Sequence, residues 1–81
     1  MTLEQFNRLP FFQRHSLALN NGEVILKQEN PNHTIRVYCI ENFFVEIWKN
    51  KLSHMPDSLL AFRSTELLDK YAGQINLNDL Y

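Results

Sequence analysis

Three histidines and a single cysteine are the side chains best suited to chemistry at neutral pH, and their spacing limits what they can do. His15, His33 and His54 are scattered, and none has a second metal-type residue at CxxC or HxxxH spacing. No metal or other cofactor is therefore expected. His33 and His54 read as exposed loop residues, and His15 as the flank of a helix. Cys39 acts as a nucleophile only beside a base in an accessible, electropositive setting. Placed mid-strand, it reads instead as a small buried hydrophobe. Ser53, Ser58 and Ser64 lie in no GxSxG-type elbow, and two glycines leave no phosphate-cradling loop of a known type. Glu41 and Glu46 come nearest to a paired-carboxylate site, but beyond a tight turn they point apart. These patterns predict a non-catalytic protein.

Binding chemistry is better represented. Trp48 beside Lys49 and Lys51, with Arg36 nearby, combines a stacking platform with positive charge, which is how single-stranded nucleic acid is held. Eight basic and nine acidic residues give a net charge of −1, however, and supply no field for a phosphate backbone. Richer still is Ile35–Trp48, IRVYCIENFFVEIW, a hairpin with apolar or aromatic side chains on both faces. A half-exposed antiparallel sheet alternates apolar with polar positions, so this hairpin needs cover on both sides.

Composition supports a folded chain able to provide that cover. Over 81 residues, 44% are hydrophobic and 12% aromatic, enough apolar area for one domain without disulfide staples. The lone cysteine fits a reducing compartment. The longest apolar runs are far too short to span a membrane, and the N-terminus MTLEQFNRLP lacks a basic-then-apolar signal layout. A cytosolic, membrane-free protein is expected.

The elements that position these residues follow from capping and periodicity. Thr2 and Gln5 have capping-box spacing ahead of a short helix, Leu3–Arg8. Residues 10–22 admit two readings. As a helix they align Phe11, Phe12, His15, Ala18 and Leu19, with Gly22 as a left-handed terminator. As a strand, Leu17–Leu19 enters an Asn21-Gly22 turn and pairs with Val24–Leu26. Strands are expected at Glu23–Gln28, Thr34–Cys39, Phe43–Lys49 and Ser58–Phe62, with turns at Asn30–Asn32 and Asn50–Asp57. Ser64 caps a last helix through Tyr71 that Gly73 ends, and Leu77 and Leu80 tuck the tail against the body.

The hairpin's loop length decides its faces. A three-residue loop, Ile40-Glu41-Asn42 with Asn42 left-handed, sets Cys39 opposite Phe43, Val37 opposite Val45 and Ile35 opposite Ile47 on a wholly apolar face. The other face pairs Tyr38 with Phe44 and Arg36 with Glu46, with Trp48 beyond and Ile25 alongside. A two-residue loop opposes Val37 to Glu46 and Arg36 to Ile47, burying charge on both faces. The three-residue loop is therefore expected, and Arg36, Tyr38, Phe44, Glu46 and Trp48 become the candidate binding surface, being rich in hot-spot residue types.

The pieces LP…NNG, VILK, FFVEIW and FRSTELLDKYAGQINLNDLY together resemble a group of small uncharacterised bacterial cytosolic α+β proteins. The resemblance implies helical starts, a strand meander and a closing helix, and it favours helix over strand for residues 10–22. In such proteins a glycine often stands in the place of Asn42. No activity and no functional residue comes with it. The expected fold is a single α+β domain: N-terminal helices, a four-stranded antiparallel meander, and a C-terminal helix packed on one sheet face. The expected function is a protein–protein interaction module, homodimeric or bound to another protein through the aromatic face. The alternative is a small-ligand domain with an apolar pocket between helices and sheet, lined by Phe12, Phe44 and Trp48 with Arg36 and His15.

Overall fold

Thr2 opens the first helix as its spacing predicts. Its hydroxyl accepts the Gln5 N–H at 3.1 Å, while the Gln5 side chain accepts the Thr2 N–H at 2.9 Å. This reciprocal cap starts α1 (Leu3–Asn7) in the structure, a computed structural model describing residues 1–63 and Glu66. The expected helix after Ser64 and the docking of Leu77 and Leu80 lie outside the described residues.

Residues 10–22 form a helix, α2 (Phe11–Asn21), and not the alternative hairpin strand. Gly22 ends it, but in extended conformation (φ −87°, ψ 155°), not the left-handed one expected. Glycine is required there for space. A Cβ would lie 2.5 Å from the Ala18 carbonyl oxygen and 3.0 Å from Tyr38 Cβ. Fully buried Ala18 gives the helix its close approach to the sheet. The helix's inward side is Ala18 with half-buried Phe11, Arg14, His15 and Leu17. Phe12 and Leu19, expected on the buried stripe, remain 65% and 48% exposed.

The chain then meanders through β1 (Glu23–Glu29), β2 (His33–Ile40), β3 (Phe43–Asn50) and β4 (Pro56–Arg63), antiparallel throughout and adjacent in chain order. Both outer strands carry one extra residue. Ile25 is unopposed between Val24 and Leu26 on β1, and Asp57 between Pro56 and Ser58 on β4.

The central hairpin differs from expectation by one residue. Ile40 pairs with Phe43, so the loop is Glu41-Asn42 alone. Glu41 (φ 50°), not Asn42, takes the positive dihedral. Positive φ at the first loop position alone is the pattern of a type II′ turn. The Met1 amino group, 2.9 Å from the Glu41 carboxylate, braces this corner. The register therefore opposes Val37 to Glu46, Arg36 to Ile47, Tyr38 to Val45 and Cys39 to Phe44. The predicted pairs Arg36–Glu46 and Tyr38–Phe44 do not form.

The anticipated burial penalty is avoided in two ways. Arg36 lies beyond the helical cover and is exposed. Glu46 is buried, 3% exposed, yet its carboxylate accepts the Trp48 indole N–H at 2.6 Å. A satisfied buried polar group costs far less than an orphaned one.

Each sheet face has its own apolar cluster. On the helical face, Tyr38, Ile40, Phe43, Val45 and Ile47 pack with Phe6 and Ala18, flanked by Leu3, Leu17, Leu59 and Ala61. The Phe6 and Phe43 rings meet with centroids 5.3 Å apart. Glu4 pairs with Arg63, tying α1 to the end of β4. On the opposite face, Val37, Phe44 and Phe62 form a second cluster joined by Ile25, Leu26 and Cys39. The bulge at Ile25 lets two successive β1 side chains reach that cluster. Among the described residues no helix is long and apolar enough to cross a membrane.

Candidate functional site

Strand alternation places Thr34, Arg36 and Tyr38 in a row on the helical face of β2. The register adds Lys49 of β3, opposite Thr34. The helix covers the Tyr38 end of this row and leaves the Thr34 end open, so a cleft remains where α2 meets the sheet. Its walls are His15 and Leu19 of α2, Thr34, Arg36 and Tyr38 of β2, Lys49 of β3, and His54 and Pro56 from the return into β4. Its volume is about 120 Å³.

The loop closing this cleft is built by Asn50. The Asn50 side-chain oxygen accepts the N–H groups of Leu52 at 2.8 Å and Ser53 at 3.1 Å, as an Asx turn does. Its carbonyl accepts the His54 N–H at 2.9 Å, and its own N–H donates to the Met55 carbonyl at 2.9 Å. These bonds hold His54 at φ 62°, a left-handed conformation that histidine tolerates better than most residues.

The electrostatics of the cleft are one-sided. Among the described residues its lining contains an arginine, a lysine and two imidazoles but no carboxylate. Among the described residues no ion pair or hydrogen bond engages the side chain of Arg36 or Lys49. Glu29, opposite Thr34 on the same face, is drawn instead to Lys51, 3.2 Å away. Thr34 and Tyr38 bring hydroxyls that donate or accept.

A second polar group occupies the opposite face at the same end of the sheet. His33 Nε2 lies 2.8 Å from Asp57 Oδ2, which also accepts from Asn50 Nδ2 at 3.2 Å. The Trp48 ring stands edge-on to His33 with centroids 5.4 Å apart, and Trp48 in turn donates to Glu46. His33 is thus a half-buried strand residue, not the exposed loop residue expected. The bulge frees Asp57 to reach across two strands. The His33 and Asn50 hydrogen bonds hold the Asp57 carboxyl below its ordinary value of 3.8.

The five residues expected to share one surface are divided between the two faces. Arg36 and Tyr38 belong to the helical face, Tyr38 as part of its core. Phe44, Glu46 and Trp48 belong to the other, where Phe44 stacks on Phe62 with centroids 6.0 Å apart. The pocket residues Phe12, Phe44 and Trp48 likewise do not line the cleft, whereas Arg36 and His15 do. Trp48 and Lys49 point to opposite sides, and Lys51 is paired, which separates the components of the nucleic-acid reading. Cys39 is half-buried on the opposite face. Burial and the Glu23 carboxylate push its thiol up from the ordinary value of 9.0, away from nucleophilic use.

Sequence reasoning missed Thr34 and His54. The first follows from extending β2 alternation backward from Arg36. The second follows from the Asn50 side chain two and three residues before the N–H groups it captures. No protein-family model, no curated protein and no solved structure matches the chain.

Proposed function

We propose that this protein is a non-catalytic small-ligand-binding domain whose site is the cleft between α2 and the open end of the sheet. One observation carries the reading: side chains from α2, β2, β3 and the β3–β4 return line one recess, and among the described residues no ion pair or hydrogen bond engages its Arg36 and Lys49 side chains. Its wall is mixed: apolar surface from Leu19, Pro56 and the rings and stems of the longer side chains is set beside hydroxyls, imidazoles and cations.

The test is a fragment screen read by amide chemical shifts, using mixtures of neutral, cationic and anionic fragments. Shifts are expected to converge on His15, Leu19, Thr34, Arg36, Tyr38, Lys49 and His54. Fragments that shift none of these amides would overturn the reading.

Protein association keeps support from a different observation. Phe12 and Leu19, 65% and 48% exposed, stand two turns apart on one side of α2. Large exposed apolar side chains at such spacing suit helix-mediated contact. In this second reading light scattering shows a concentration-dependent mass that Phe12→Ser abolishes; a constant monomer mass removes the homodimer.

A further inference from the structure

We propose that the cleft recognises a phosphate group, carried on a small monoester, with Arg36 and Lys49 as the charged ligands and Thr34, Tyr38, His15 and His54 as further hydrogen-bonding partners. The inference rests on the cleft being a ligand site and adds the chemistry of the ligand.

Charge placement argues first. Arg36 is flanked across the sheet by Lys27 on β1 and Ile47 on β3. Like charges directly opposite one another on adjacent strands are destabilising. The Ile25 bulge creates this opposition: unbroken pairing from Val24–Tyr38 would set Leu26 opposite Arg36. Lys49 is the diagonal neighbour of Arg36 on the same face, a relation that spans about 7–8 Å in a ladder. An oxyanion seated between two such cations accepts from both. Glu29, the carboxylate of the same face, is committed to Lys51. Lys27 and Lys49 thus both neighbour Arg36 on this face, and among the described residues no ion pair engages any of the three.

Size argues second. At about 30 Å³ per water in the liquid, 120 Å³ holds roughly four waters. That suits one compact group such as a phosphate, whereas drug-sized ligands occupy about 300–1,000 Å³. The rest of the ligand must lie outside; Thr34 and Arg36 also border a shallow surface with Lys27, Gln28, Glu29 and Ile35. Two neighbouring cations, with no carboxylate among the described lining residues, match a dianion better than a monoanion. A nucleic-acid backbone would need a longer basic track than this recess and a net charge of −1 provide.

The experiment titrates the full chain with inorganic phosphate, glycerol phosphate and acetate, each against sodium chloride of equal ionic strength, reading amide shifts and melting temperature. Phosphate should stabilise saturably, as any ligand selective for the native state does, and shift Thr34, Arg36, Tyr38, Lys49 and His54. Arg36→Gln and Lys49→Gln should each weaken binding by about tenfold or more. Without phosphate, Arg36→Gln should melt no lower than wild type, because it relieves the opposition to Lys27; that separates a ligand role from a structural one. Glycerol phosphate binding at least as tightly as inorganic phosphate supports the monoester, and weaker binding overturns it in favour of the free ion. Acetate or chloride matching phosphate, or variants that bind normally, overturn the proposal. If neutral fragments shift the cleft amides while phosphate does not, only the phosphate assignment fails. If no probe reaches the cleft, the site itself fails.

Discussion

At the scale of single residues, Gly22 shows how space, not dihedral freedom, can demand glycine. Its φ of −87° is open to any residue, but a Cβ would be driven into the Ala18 carbonyl. Gly22→Ala should therefore destabilise the protein by about 1–3 kcal/mol, the usual range for overpacking, read from urea unfolding. Asp57 makes a prediction in pH. Its carboxyl is held below the ordinary value of 3.8, first by the His33 hydrogen bond and then by Asn50. A depressed carboxyl adds stability above its unfolded pKa and loses it as pH falls through the folded value. The melting-temperature gap between wild type and Asp57→Asn should thus be present at pH 5–6 and close on acidification below the ordinary carboxylate value. A gap that stays constant down to pH 2 would show that the His33 contact does not depend on the carboxylate charge.

At the scale of elements, much of the architecture was legible. The capping box, the punctuation at Pro10 and Asn30–Asn32, and the β-branched runs give the first helix and four antiparallel strands near their observed bounds, while residues 10–22 admit both a helix and a hairpin strand until packing on the sheet selects the helix. What escaped was a single residue of register, and it redistributed the whole candidate surface. The longer loop was favoured because it avoids burying Arg36 and Glu46. Two facts of the three-dimensional structure remove that cost: α2 stops short of Arg36, and Trp48, two residues on from Glu46, reaches back with its indole N–H. The cleft was equally hidden, because β2, α2 and the β3–β4 return meet only through tertiary packing. Arg36 and His15 were nominated for a pocket, but Thr34 and His54 have no local signature of binding. The indole bond can be tested within β3. Trp48→Phe removes the donor and should cost about 1–3 kcal/mol, as expected when a buried acceptor loses a partner, whereas Lys49→Gln should leave stability nearly unchanged. Equal stability of Trp48→Phe and wild type in urea unfolding would show that Glu46 does not depend on the indole.

At the scale of the whole molecule, the chain carries two apolar clusters on opposite sides of one sheet, with the helices committed to the first. Residue Cys39 reports on the second. Its half-buried thiol, pushed up by burial, should react with a disulfide reagent at pH 8 more slowly than a free cysteine, and should accelerate only when the protein unfolds. Reaction at the free-thiol rate in native buffer would mean that this side opens readily. The outer strands have a separate consequence for how molecules meet one another. Each of them, β1 at Ile25 and β4 at Asp57, is interrupted by an unopposed residue. Such kinks spoil the straight row of N–H and C=O groups that a second chain would need for edge-to-edge addition. The same two insertions that aim Lys27 and Asp57 therefore also guard against fibrous self-assembly. Deleting Ile25 should straighten β1 and raise aggregation above that of the unaltered chain, read by light scattering.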